Sequence, residues 1–404
     1  MKIAIFIADS NGGYPVPAVK GGAVSVLVEH LVKGNNSNRM AELDIISLYD
    51  KEAEKLSKQY PNVNFIWIKE RKIIKLLDNM LFNFVRFFLK KKKAVSYKSI
   101  FLLMNYVLKS NIILRRNNYD KVVLENNLNL AWIIKLSKYS GEYYYHFHNI
   151  PRINPRCNSV FDNCTGYICV SEFIAECLCD KNSVIGKIPK QKTRVLYNCI
   201  DTKQYRPIEE KEKIKLRKKY SIAPNDTVIS FVGRLTEEKG IDKLLEAVKL
   251  IEPNVKVIVT GSLMHNMEVV DEYQKKIFNL SKELGDKIVF TGYISHKIVQ
   301  EVYQIADIAV LPSVWEEPAG LTMVEAASCG IPVITTNSGG IPEYMKGLAT
   351  ILEKDDKLIR NIAITIENII EDSDDMQNKE KIHTIVEKKF SSDNYWINFL
   401  EVLK

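Results

Sequence analysis

No apolar run in the 404 residues approaches the roughly 20 that a helix needs to cross a bilayer. Glycine and proline together account for only 31 of the 404 residues, too few for a collagenous or low-complexity chain. A hydrophobic fraction of 46% is likewise too high for a disordered one. The seven cysteines (157, 164, 169, 177, 179, 199 and 329) are odd in number, form no CxxC pair and have no histidine partner at zinc spacing. They read as reduced thiols of a cytoplasmic protein, acting as small apolar residues. No leader is expected either, because Met1-Lys2 runs straight into a strand-like Ile3 to Ala8 and a turn-forming Asp9 to Gly13.

An excess of acid is also missing: 57 Lys and Arg stand against 49 Asp and Glu, a net charge of +8. The excess is concentrated. Between Lys69 and Lys98 there are ten basic residues against two acids, so the remaining 374 residues sum to zero. Leu77, Leu81, Phe84 and Phe88 recur there at helical spacing, with Asn79, Asn83, Arg86 and Lys90 on another face, which predicts an amphipathic helix ending in Lys90, Lys91, Lys92 and Lys93. Such a helix could join the core by its apolar stripe. It could also lie on an anionic membrane, where each basic residue adds roughly 1 kcal/mol. Nucleic acid is disfavoured, since the aromatics alternate with Leu and Val and no nucleic-acid motif accompanies them.

Short apolar, β-branched runs alternate with longer amphipathic stretches in two sets, one from residue 2 to 197 and one from 227 to 335. That pattern predicts an α/β protein of two Rossmann-like, doubly wound domains. The expected division is 1–198 for the first domain and 199–389 for a linker, a charged surface helix and the second domain. A closing segment, 390–404, carries Tyr395, Trp396, Phe399, Leu400 and Leu403 at helical spacing and needs a surface to cover. Open α/β sheets bind ligands beyond the carboxyl ends of their strands, so two facing domains would enclose a cleft lined by such loops.

Two loops of the second set carry chemistry. In GRLTEEKG (233–240), Gly233 permits close backbone approach, while Arg234 and Lys239, at a strand end and a helix start, can converge on one anion such as a diphosphate. The alternative is an exposed turn with solvated cations. In EEPAGLTMVEAASCG (316–330), a loop becomes a helix between Glu317 and Glu325. The free N–H groups near Gly320, Leu321 and Thr322 suit phosphate or sugar oxygens. Glu317 suits sugar hydroxyls and Glu325 a ribose.

With VFTGYI (289–294) and SGGIPE (338–343), these segments resemble the donor domain of the retaining, GT-B-fold glycosyltransferase family 4, whose E-x7-E motif matches Glu317 and Glu325. The first half agrees through KGGA (20–23), HFHN (146–149), Val170-Ser171 and VLYNCID (195–201). The resemblance extends to bacterial capsular and exopolysaccharide enzymes. It implies that Arg234 and Lys239 grip the donor diphosphate, that Glu317 contacts the donor sugar and that Glu325 holds the ribose. It further implies that Gly21 and Gly22 approach the phosphates and the acceptor side, and that His148 lies near the sugar, with His146 as a packing alternative. Pro318-Ala319 departs from the aromatic residue common in the family. Asp372-Ser-Asp374 spells a metal-binding DxD but sits between helices and reads as a solvated turn.

The expected function is therefore transfer of a hexose-type sugar from a nucleotide diphosphate sugar, without metal or other cofactor, to a hydroxyl of a lipid-linked saccharide. The expected place is the cytoplasm, peripheral on the inner face of the membrane through residues 69–98. A protein or soluble acceptor, or a non-catalytic partner subunit of the same fold, are the alternatives.

Overall fold

The computed structural model describes residues 1–8, 14–87, 98–261, 272–371 and 376–404. Lys90 to Lys93, Phe88, Ser262 to His265 and Asp372 to Asp374 therefore lie outside the described residues. The chain divides into two units, Met1–Asn198 with Ser392–Lys404, and Cys199–Ser391.

The first unit is built on seven parallel strands: β1 (Lys2–Phe6), β2 (Glu42–Leu48), β3 (Val63–Ile68), β4 (Lys121–Glu125), β5 (Glu142–Phe147), β6 (Gly166–Cys169) and β7 (Thr193–Val195). Their order is β3-β2-β1-β4-β5-β6-β7. The second unit has six: β8 (Thr227–Val232), β9 (Val255–Thr260), β10 (Ile288–Gly292), β11 (Ile308–Leu311), β12 (Val333–Thr336) and β13 (Thr350–Leu352). Their order is β10-β9-β8-β11-β12-β13. Each sheet reverses its winding between its first strand and its fourth, at β1/β4 and at β8/β11. Those reversals are where an open sheet leaves a crevice at its carboxyl edge. The inner strands are buried along their lengths, as Ile3 to Phe6 and Ile308 to Leu311 illustrate, which is why their sequences are apolar throughout.

The closing helix Tyr395–Val402 covers helix Ala23–Asn38 of the same unit with Trp396, Phe399 and Leu400 buried. Gly34 makes the contact possible, because a Cβ there would run into Trp396. The helix's last carbonyls are held by cations and a phenol: Lys121 Nζ donates to Leu403 O at 2.6 Å, Tyr144 OH to the same oxygen at 2.9 Å, and Arg194 to Val402 O at 2.6 Å. Basic groups at a helix C-terminus meet both its unpaired carbonyls and its dipole.

The basic segment folds as helix Lys72–Phe87, followed after the undescribed stretch by helix Ile100–Arg116. Its buried side is narrow. Asp78 and Val85 are buried, and the Asp78 carboxylate accepts from Phe101 N (2.9 Å) and Leu102 N (3.0 Å), capping the next helix from outside. The apolar stripe accordingly differs from the expected one. Ile73, Leu76, Leu77, Met80, Phe84 and Phe87 share an arc of about 100° on the helix surface and are 39 to 66% exposed. Leu81 turns instead toward the Asp78/Val85 side and is half-buried. On the neighbouring helix Ile100, Met104, Leu108 and Ile112 are also exposed, one helical turn apart. No described helix is long and apolar enough to cross a membrane.

Helix Glu210–Lys219 is not simply the surface helix its charge suggested. Lys213 and Arg217 are buried against Asp307, at 2.6 and 2.7 Å, and Arg217 also donates to the carbonyls of Pro224 and Asp226. These contacts line a polar concavity of about 990 Å³ at the amino edge of the second sheet, the edge opposite its strands' carboxyl ends. All seven cysteines are free thiols.

Candidate active site

The β8 loop begins at Gly233, whose carbonyl is approached so closely by Gly261 after β9 that a Cβ on Gly261 would overlap it. It ends at Gly240, which caps helix Ile241–Val248 at φ 68°. A side chain on Gly240 would strike the carbonyl oxygen of Pro312 at the end of β11, so glycine lets the two loops of the switch point touch. The backbones are also tied directly: Val314 N and Trp315 N donate to Glu238 O at 3.0 and 3.2 Å.

Across this junction Lys239 Nζ forms an ion pair with Glu317 Oε1. Ser313 Oγ donates to the same carboxylate oxygen at 2.8 Å. Glu317 is buried and Lys239 partly so, which puts this charge pair in a medium of lower dielectric than surface pairs. Arg234 stays exposed and pairs with Glu238 at 3.3 Å, one turn along. The two cations expected to share an anion thus stand in one loop, each with its own carboxylate. Gly339 and Gly340 pack on the Glu317 backbone, with Gly340 N donating to Glu317 O at 2.7 Å, and this holds the loop before the next helix.

That helix, Leu321–Ser328, starts at Gly320 with φ 90°. The N–H groups of Leu321 and Thr322 are in its first turn, where no intrahelical acceptor exists. Glu325, one turn in, does not meet Glu317. It faces the Tyr303 hydroxyl, which donates to Oε2 at 3.3 Å, and Tyr205. Burial pushes its carboxyl up to about 7, against the opposing pull of these two phenols. Ser313, Tyr205 and Tyr303 had no motif around them and were missed by reading the sequence.

In the first unit Gly21 and Gly22 precede helix Ala23–Asn38 with φ 76° and 91°, and a Cβ on Gly22 would collide with the Tyr14 ring. His146 and His148 lie on one face of β5 and its extension, ring centroids 4.1 Å apart. Both are buried and both face Glu125 at the end of β4. Among the described residues these three form a group whose ligand-type atoms lie within 4.8 Å of one another, but hydrogen bonds already account for that approach. Glu125 was also missed, although one acid closing the apolar run KVVLE is the kind of signal that could have found it.

Residues 212–384 match the family described as Glycosyl transferases group 1. A lipopolysaccharide 1,2-N-acetylglucosaminetransferase of Salmonella typhimurium is 27% identical over 290 residues, 70% of this chain and 72% of that one. The chain is a glycosyltransferase. An uncharacterized glycosyltransferase, MJ1607 of Methanocaldococcus jannaschii, is 32% identical over 193 residues, and that match spans less than half of either protein, 46% of each. The structure of Anabaena HepE in complex with UDP-glucose superimposes with a TM-score of 0.69 at 18% identity, covering 100% of this chain and 99% of that one. The two doubly wound domains of this transferase are thus those of the GT-B fold.

Proposed function

We propose that this glycosyltransferase moves a hexose-type sugar, with retention of configuration, from a nucleotide diphosphate sugar to a hydroxyl of a lipid-linked saccharide in surface polysaccharide synthesis. The observation that carries the reading is the Lys239–Glu317 pair at the β8/β11 reversal, beside the helix start at Gly320. A sugar on a diphosphate is already activated, so the enzyme's main task is to stabilise charge on the departing phosphate. Lys239, Arg234 and the N–H groups of Leu321 and Thr322 supply that charge complement, with Gly233 leaving room for the phosphates, and in this reading no metal is required. Glu317 orients the sugar, Glu325 accepts from the ribose hydroxyls, Gly21 and Gly22 admit phosphate and acceptor, and His148 contacts the sugar. The acceptor hydroxyl attacks from the face the phosphate leaves, so Glu317 needs no role as nucleophile.

Two comparisons support the substrate class: HepE was solved with UDP-glucose, and the Salmonella relative is named for lipopolysaccharide. The exposed apolar arc of helix Lys72–Phe87, flanked by Lys72, Lys75 and Arg86 and followed in the sequence by Lys90 to Lys93, favours an acceptor held in an anionic membrane. We place the enzyme on the cytoplasmic face of that membrane. A thermal-shift panel of nucleotide diphosphate sugars, followed by transfer assays on lipid-linked saccharides with the donor that stabilises most, tests the reading. Stabilisation by no nucleotide sugar would refute it.

A further inference from the structure

A buried carboxylate between two histidines restricts what those histidines can do. Glu125 is 1% exposed and lies directly opposite His146 in the β4/β5 register. Its Oε2 is 2.9 Å from His148 Nε2 and 3.1 Å from His146 Nδ1, and its Oε1 is 3.3 Å from the latter. An ionised carboxylate only accepts, so both ring nitrogens that face it must be N–H donors. Burial alone would raise the Glu125 carboxyl, but the two imidazoles beside it prevail and hold it at about 2. Burial and the adjacent His146 push His148 down to about 4, against the pull of Glu125, so His148 has one ring proton near neutral pH.

We propose that Glu125 is a positioning residue that fixes His148 as the neutral Nε2–H tautomer, leaving Nδ1 as a hydrogen-bond acceptor for a hydroxyl of the bound sugar. The proposal rests on the reading of His148 as a sugar contact. Its independent support is that His148 Nδ1 is buried and has no hydrogen-bond partner among the described residues. A buried acceptor left unmet is unfavourable, and a ligand hydroxyl would meet it. A phosphate oxygen cannot serve, because it is itself an acceptor and would meet the Glu125 charge. The cluster therefore selects neutral hydroxyl donors, not the diphosphate. His146 Nε2 is also unpartnered, but His146 lies inside β5 with its ring 6.5 Å from that of Phe399, whereas His148 is past the strand's end. The His148 backbone is held there by its N–H, which donates to Asn126 Oδ1 at 3.1 Å.

The test is ¹⁵N NMR of the full chain labelled at histidine, with His146→Asn and His148→Asn used for assignment. His148 of the unsubstituted protein should show a protonated Nε2 and an unprotonated Nδ1. The reverse tautomer or an imidazolium at pH 7 overturns the proposal without any variant having to fold. Glu125→Leu removes the acceptor from both rings, whereas an amide oxygen in its place would keep two lone pairs for them. A changed His148 tautomer should accompany a fall in kcat/KM of about tenfold or more, while the Kd of the nucleoside diphosphate without sugar stays the same. An unchanged tautomer with unchanged kcat/KM, or an equal loss of nucleoside diphosphate affinity, contradicts it. Should no nucleotide sugar bind the unsubstituted protein, the sugar-contact reading fails, and the tautomer measurement still decides the role of Glu125.

Discussion

Lys239 and Glu317 form an ion pair that bridges the end of β8 and the loop after β11, the two parallel strands between which the second sheet reverses its winding. In the absence of a donor, the cation assigned to the diphosphate is thus neutralised by the carboxylate assigned to the sugar. Donor binding has to share or loosen this pair, and the two residues should respond differently to substitution.

Glu317→Gln removes the countercharge and leaves Lys239 free for phosphate. The Kd of the nucleoside diphosphate should stay the same or fall, while kcat drops about tenfold or more as the sugar loses its orienting group. Titration calorimetry and steady-state rates separate the two effects. A raised Kd with kcat untouched would mean that Glu317 serves the phosphate side instead.

Glu325 should leave a signature in stability against pH. Its folded carboxyl is raised to about 7 from an ordinary 4.5, so the folded state binds the extra proton between those values. Stability from this group is then fully present below about 4.5 and is lost as pH rises toward 7, on the order of 3 kcal/mol in all. The Tm of the unsubstituted protein minus that of Glu325→Gln should fall across this window and level off above it. A difference that is flat from pH 4.5 to 8 would show that the carboxyl is not raised.

The exposed apolar arc gives a membrane test that spares the core. Phe84 and Phe87 are 51% and 66% exposed, so replacing both by Gln should leave Tm unchanged. Sedimentation with phosphatidylglycerol vesicles should weaken by roughly tenfold, and Lys90 to Lys93 changed to Glu should abolish it. Equal pelleting of all forms, or none by the unsubstituted chain, would leave the arc without a membrane role.

Gly240 and Gly285 separate backbone strain from loop contact. Both have positive φ, but only at Gly240 would a Cβ strike Pro312, while at Gly285 nothing lies within 4 Å. Gly285→Ala should cost roughly 1–2 kcal/mol of left-handed strain. Gly240→Ala should cost clearly more and also weaken donor binding, since it separates the β8 and β11 loops. Equal Tm losses would mean that the close approach does not matter.

Much of this architecture was legible in the sequence, because strands buried on both faces must be continuously apolar and their loops must carry the polar chemistry. β13 escaped notice: three edge residues, Thr350–Leu352, are too short to show a period. The helix Lys72–Phe87 was legible as amphipathic, but its buried arc was not, since Asp78 is drawn inward only by the free N–H groups of a helix some twenty residues later. At the site, Glu317 and Glu325 announced themselves through spacing and surrounding residues. Ser313, Tyr205, Tyr303 and Glu125 act through contacts across strands and helices, which local sequence does not encode. Lys213 and Arg217 looked like solvated charges for the same reason, their partner Asp307 being some ninety residues away.

The most direct measurement is the Kd of the preferred nucleotide diphosphate sugar, by titration calorimetry, for the unsubstituted enzyme and for Lys239→Ala. Loss of one charge-assisted contact worth roughly 1.5–3 kcal/mol should raise Kd by about tenfold or more. An unchanged Kd in a variant with unchanged Tm would contradict the assignment of the β8/β11 junction as the donor diphosphate site.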